Sequence, residues 1–138
     1  MTDSIFTIRE QALQVFAQLI SIFGPQWGVK NLIPKLMSLH LEQNYLHRMT
    51  PLHGIKTMAP VLSTDLIKTH FLPVMQSLSH DPVANVRMNV CKTVTGIAAK
   101  VKGTGDFETK VKVILKELSN DADFDVKFYA QRAVEALK

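Results

Sequence analysis

The sequence has a single cysteine, Cys91, so no internal disulfide can form and the chain is expected to be intracellular. It has no stretch approaching eighteen consecutive apolar residues, so nothing in it reads as a membrane span. The first residues, MTDSIFTIREQ, lack the charged-then-apolar order of a signal peptide. No segment alternates apolar and polar residues over a strand's length, which argues against a sheet. Charge of one sign is scarce too. Sixteen Lys and Arg against twelve Asp and Glu leave a net charge of +4. The basic cluster around Lys100, Lys102, Lys110, Lys112 and Lys116 is broken by Asp106, Glu108 and Glu117, whereas a dedicated nucleic-acid domain carries a denser stripe interleaved with aromatics. What remains is 46% hydrophobic and 20% charged over 138 residues, ordinary material for one globular domain with a packed core.

The motifs of catalysis and metal binding are also missing. The histidines at 40, 47, 53, 70 and 80 offer no HxxxH or HExxH spacing, so no metal or cofactor site is expected. The run DADFDVKFYAQR looks briefly like a calcium loop but has neither the glycine at its sixth position nor the glutamate at its twelfth. There is no GxSxG turn and no phosphate-cradling glycine loop. Cys91 falls on the apolar side of an expected helix, as a buried thiol would. No catalytic residues are assigned, and the chain is read as a non-enzyme.

A repeat fills the space these absences leave. Arg9, Arg48, Arg87 and Lys127 are spaced 39, 39 and 40 residues apart. Six residues before each stands an acid: Asp3, Glu42, Asp81 and Asp121. Ten residues after each stands a large apolar residue: Leu19, Met58, Ile97 and Leu137. Pro34, Pro73 and Val113 lie fourteen residues before the last three cations. A period near forty suits a pair of helices that buries its apolar face only against neighbouring copies. Helices are predicted at about 5–23, 26–40, 44–60, 64–79, 82–100, 106–119 and 124–137. Ser63 or Thr64 can cap one helix, and Asp81-Pro82 reads as a cap and first residue of another. Gly24-Pro25 and Lys102-Gly-Thr-Gly105 read as breaks. Pro34 and Pro73, both inside predicted helices, should kink them.

The expected fold is all-α, a right-handed solenoid of about three and a half helical hairpins in one domain, 1–138. A half repeat occupies 1–23, and full repeats occupy 24–62, 63–102 and 103–138. Because the first unit lacks its leading helix, Ile8, Ala12, Val15, Phe16 and Leu19 can satisfy only one neighbour. An uncovered apolar side is therefore expected there, as in a piece of a longer protein.

An acid, a cation six residues on and a proline fourteen before that cation form the HEAT-repeat pattern. NYLHRMT at 44–50, DPVANVR at 81–87 and DVKFYAQ at 125–131, supported by LIPKLMSL and FLPVMQSL, make the chain resemble the C-terminal repeats of the scaffold (A, regulatory) subunits of protein phosphatase 2A. The resemblance implies a non-catalytic superhelical scaffold of the cytoplasm, and also of the nucleus. Its intra-repeat turns would hold the phosphatase catalytic subunit. A variable B-type regulatory subunit would be held by N-terminal repeats that this sequence does not contain. The partner-binding residues expected on the turns are Phe6, Tyr45, Arg48, Val83, Asn85 and Lys92. The periodic acids and cations, Asp3, Arg9, Glu42, Arg48, Asp81, Arg87, Asp121 and Lys127, are expected to form a structural ladder between repeats. These bonds are expected to be partly exposed and worth about 0–1 kcal/mol each. The alternatives are a HEAT adaptor for another partner, such as a transport factor, and a helical nucleic-acid binder using the lysines near 100–116. Neither nucleic acid nor membrane is the expected partner.

Overall fold

The structure, a computed structural model, describes residues 2–138, with side chains from Thr7 onward. Among these residues all regular structure is helical. The α-helices are α1 (Thr2–Phe23), α2 (Pro25–Asn31), α3 (Ile33–Ser38), α4 (Tyr45–Met58), α5 (Thr64–Leu78), α6 (Ala84–Gly96), α7 (Ala98–Val101), α8 (Asp106–Leu118) and α9 (Phe124–Ala136). Short 3-10 turns extend the ends of α3 and α4.

Two layers form. The helices α1, α4, α6 and α9 pack side by side, and α2–α3, α5 and α8 run behind them, each joined by a tight turn to its partner in the first layer. The chain is an α-solenoid of helical hairpins. The core lies between the layers, where Ile55, Phe71, Met75, Val90, Phe107 and Leu115 are fully buried. Every buried side-chain nitrogen or oxygen among the described residues has a hydrogen-bond partner. Thr93 shows how: its hydroxyl lies 2.8 Å from the Asn89 carbonyl and 3.4 Å from the Leu52 carbonyl of α4.

The local signals act in three different ways. Gly24 ends α1 at φ +96°, a conformation costly to any residue with a Cβ, and Pro25 then opens α2. Ser63 caps α5, its Oγ accepting the Leu66 N–H at 3.3 Å. Asp81-Pro82 acts differently from its sequence reading. The helix starts at Ala84 with Val83 as its cap residue, because Asp81 holds the Val83 N–H at 2.9 Å in a turn ahead of the helix.

The prolines separate as well. Pro73 lies inside an unbroken α5, whereas the predicted helix 26–40 divides at Leu32, just ahead of Pro34. The segment before that break is PQWGVKN, where Gly28 and Asn31 hold a helix weakly, and the Asn31 amide bonds the Trp27 carbonyl at 2.9 Å instead of leaving it to the backbone alone. The predicted helix 82–100 likewise divides, into α6 and α7, at Ile97.

On α1, Leu13 and Ile20 are buried. Ile8, Val15 and Ile22, seven residues apart on another side of the helix, are exposed, and Phe23 with them.

Candidate protein-binding ridge

The two-layer packing brings the turns between paired helices to one edge. Each later turn is shaped by a short acid. Asp81 Oδ1 accepts the Val83 N–H, and Asp121 Oδ1 accepts the Asp123 N–H, both at 2.9 Å. In the last turn Asp123 then caps α9, accepting the Asp125 and Val126 N–H groups at 2.9 and 3.1 Å. Asn44 does similar work in the first turn, taking the Leu46 N–H at 2.9 Å.

The ladder cations tie these turns together. Arg48 donates from Nε to Asp81 Oδ2 at 2.6 Å and from Nη2 to Asp81 Oδ1 at 3.0 Å. Its Nη1 reaches back to its own turn, to the carbonyls of Glu42 and Gln43 at 3.0 and 2.6 Å. Arg87 repeats the arrangement one hairpin later, with Asp121 at 2.7 and 3.0 Å and the Asp81 carbonyl at 2.7 Å. Each guanidinium is a strut between its own turn and the next, using the planar fork that suits a carboxylate.

The Asp81 side chain is only 4% exposed and that of Asp121 10%. Burial alone would raise the Asp81 carboxyl, but the Arg48 hydrogen bond, the Val83 N–H and the two guanidinium charges outweigh it and hold the acid below the usual carboxylate range. For Asp121 the Arg87 hydrogen bond is the largest influence and the shift is again downward. These pairs are part-buried and bidentate, a geometry that favours an ion pair over an isolated contact at an open surface.

The other ladder positions are placed differently. Glu42 is exposed, and among the described residues it forms no ion pair with the half-buried Arg9. Lys127 is exposed on α9. The side chains of Asp3 and Phe6 lie outside the described residues.

Of the expected partner-binding residues, Tyr45 (39% exposed) and Asn85 project from the ridge, and Val83 is half-buried on it. Arg48 is engaged by its own turn and by Asp81. Lys92 lies in the middle of α6, roughly 12 Å along the helix from the turn. Its ammonium sits 4.6 Å from the centre of the Tyr129 ring on α9.

The ridge also carries side chains that the sequence reading passed over. Leu41 (76% exposed) and Leu46 flank Tyr45, and Phe124 (79% exposed) crowns the last turn. Phe124 was findable. Three residues before each ladder cation stand Phe6, Tyr45, Ala84 and Phe124, a column in the same register as the acids and aromatic at three of its four positions. Cys91 is buried, and burial, with the Asp121 charge adding to it, pushes its thiol up to about 12, which makes it inert.

Comparison with known proteins agrees with this architecture. The HEAT repeat family matches residues 71–101. The chain is 31% identical over 124 residues to the A-type regulatory subunit of protein phosphatase PP2A from Saccharomyces cerevisiae, covering 85% of this chain and 20% of that protein. It is 33% identical over 79 residues to the protein of the same name in Schizosaccharomyces pombe, covering 57% of this chain and 13% of that one. A stretch of 55 residues, 40% of this chain, is 42% identical to 9% of the beta isoform of the human 65 kDa A-type regulatory subunit of serine/threonine-protein phosphatase 2A. The chain therefore spans about a fifth or less of the length of these relatives.

Proposed function

From a chain of HEAT repeats related in sequence to the A-type regulatory subunits of protein phosphatase 2A, we propose a non-catalytic scaffold segment whose intra-repeat turns hold the catalytic subunit of a serine/threonine protein phosphatase. The observation that carries this reading is the ridge: apolar groups Tyr45, Leu46 and Phe124 stand exposed on turns whose spacing is set by Arg48–Asp81 and Arg87–Asp121. Exposed aromatic and aliphatic groups on a preorganised edge suit a partner surface that buries them, since little ordering is left to oppose association.

A B-type regulatory subunit would engage other repeats of such a scaffold, and the setting proposed is the cytoplasm and nucleus. No described helix is long and apolar enough to cross a membrane. The lysines near 100–116 are largely occupied within the chain, which favours a protein over a nucleic acid as partner. Lys110 pairs with Asp106, Lys112 with Glu108, and Lys100 donates to the Leu62 carbonyl at 3.0 Å.

The test is capture of a 2A-type phosphatase catalytic subunit by the full chain. Tyr45→Ala should weaken binding by roughly 1–3 kcal/mol, the cost of truncating an interface anchor. Tyr45→Ala combined with Val83→Asp should weaken it further while the helical circular dichroism stays the same. Unchanged affinity in the double variant refutes the ridge reading.

A further inference from the structure

A line of cations crosses the face of the first helical layer, away from the turns. Five residues beyond the last three ladder cations stand His53 in α4, Lys92 in α6 and Arg132 in α9, and Lys56 follows His53 by three residues. These helices lie side by side, with axes about 10 Å apart.

Their stems are laid across neighbouring groups. A Cβ at Gly96 of α6 would fall 3.0 Å from Lys56 Cδ, so the glycine leaves room for the Lys56 chain to cross from α4. The Lys92 ammonium covers the Tyr129 ring, and the Arg132 guanidinium lies 5.7 Å from the centre of the Phe128 ring. Among the described residues Lys56, Lys92 and Arg132 form no ion pair. Glu10 of α1 is the acid whose charge reaches Lys56. Burial and then Lys92 push the Lys56 ammonium down from its ordinary value, and burial, Lys56 and Lys92 do the same to His53. Like charges held this close oppose folding of the isolated chain, and the fold places them there at three successive repeats.

We propose that this line of cations and aromatic rings docks an acidic, extended segment of a protein partner, with carboxylates on Lys56, Lys92 and Arg132 and an apolar side chain against the exposed Phe128. The spacing fits. Three residues of extended chain span about 10 Å, so an acid at every third position meets one cation per helix. A continuous phosphate backbone would leave its intervening charges over the apolar stretches of the helices. The surface differs from the turn ridge in its residues and does not depend on which protein that ridge holds.

The probe is a fluorescein-labelled decapeptide with glutamate at every third position, titrated with the full chain at two salt concentrations. Binding should weaken as salt rises. Lys56→Glu with Arg132→Glu should lower affinity at least about tenfold, and Lys56→Gln with Arg132→Gln should do so less steeply, in a chain whose melting stays intact. Neither pair touches the turns, so capture of the phosphatase catalytic subunit should persist in both, while Tyr45→Ala with Val83→Asp should leave the peptide bound. Absence of peptide binding, equal affinity in the charge variants, or a stronger and variant-sensitive hold on a single-stranded oligonucleotide would each overturn the proposal.

Discussion

The junction between α1 and the first hairpin and the two junctions that follow share one sequence plan but not one structure. Each places a cation in one unit and an acid 33 or 34 residues later in the next: Arg9 with Glu42, Arg48 with Asp81, Arg87 with Asp121. Only the two pairs with aspartate close, among the described residues. The aspartates first fold back on their own turns, accepting the N–H two residues on, and that bond fixes the carboxylate where the incoming guanidinium finds both oxygens. Glutamate is one methylene longer and does not make this tight turn. Glu42 points to solvent, and its turn is organised by Asn44 and by Arg48 bonding its carbonyl. Two further contacts tie the last junction, Lys68 to Asp106 at 2.7 Å and His80 to Glu117 at 3.2 Å. A rung is therefore made by an acid already held in place, not by opposite charges at the right period.

Arginine deletion breaks that comparison most sharply. Arg87→Ala strands a mostly buried carboxylate and releases the Asp81 carbonyl, and should cost about 2–4 kcal/mol in urea or thermal unfolding. Arg9→Ala removes a cation with no rung to break and should cost less than about 0.5 kcal/mol. Equal losses in the two variants would mean that the rungs contribute nothing beyond surface charge.

Acid titration should give a smaller and gradual effect. Asp81 and Asp121 have folded-state values below those of the unfolded chain, so their stabilisation is complete above the unfolded value, about 3.9, and is lost as pH falls through the folded values. Stability should decline below about pH 4. Asp81→Asn with Asp121→Asn should be less stable at neutral pH yet flatter across that window, the remaining slope coming from other lysine-paired acids such as Asp106 and Glu108. An unchanged slope would place the acid sensitivity elsewhere.

The same comparison explains what could be read in advance. The register of cations and acids was legible because a repeat amplifies it, and so were the two-helix plan and the breaks at Gly24 and Gly103–Gly105, where positive φ demands glycine. Whether a rung closes was not legible from period alone, since Glu42 and Asp81 occupy the same column and differ only in reach. Nor was the fate of Pro34 against Pro73. They share a column too, but α5 carries its proline within a longer, more apolar helix, while α2 is short and interrupted by Gly28. On the ridge Tyr45 is legible from its place in a turn, and Phe124 from the column it shares with Tyr45, three residues before a ladder cation.

The finest test supplies what the first junction lacks. Glu42→Asp shortens the acid at the position where Asp81 and Asp121 make their turns. If preorganisation is what closes a rung, the new carboxylate should take the Asn44 N–H, as Asp81 takes that of Val83, and then receive Arg9 across the junction. The gain is limited, because Arg9 is only half-buried and α1 has no matching turn ahead of it among the described side chains. About 0.5–1 kcal/mol is expected, the range of a partly exposed pair with good geometry. Stability alone does not identify the cause, since aspartate also favours turns by itself. A double-mutant cycle does. Arg9→Ala should cost little with glutamate at 42 and about 0.5–1 kcal/mol with aspartate there. If the cost of Arg9→Ala is the same in both backgrounds, aspartate has improved the turn without building a rung, and the first junction is held apart by something other than the length of one side chain.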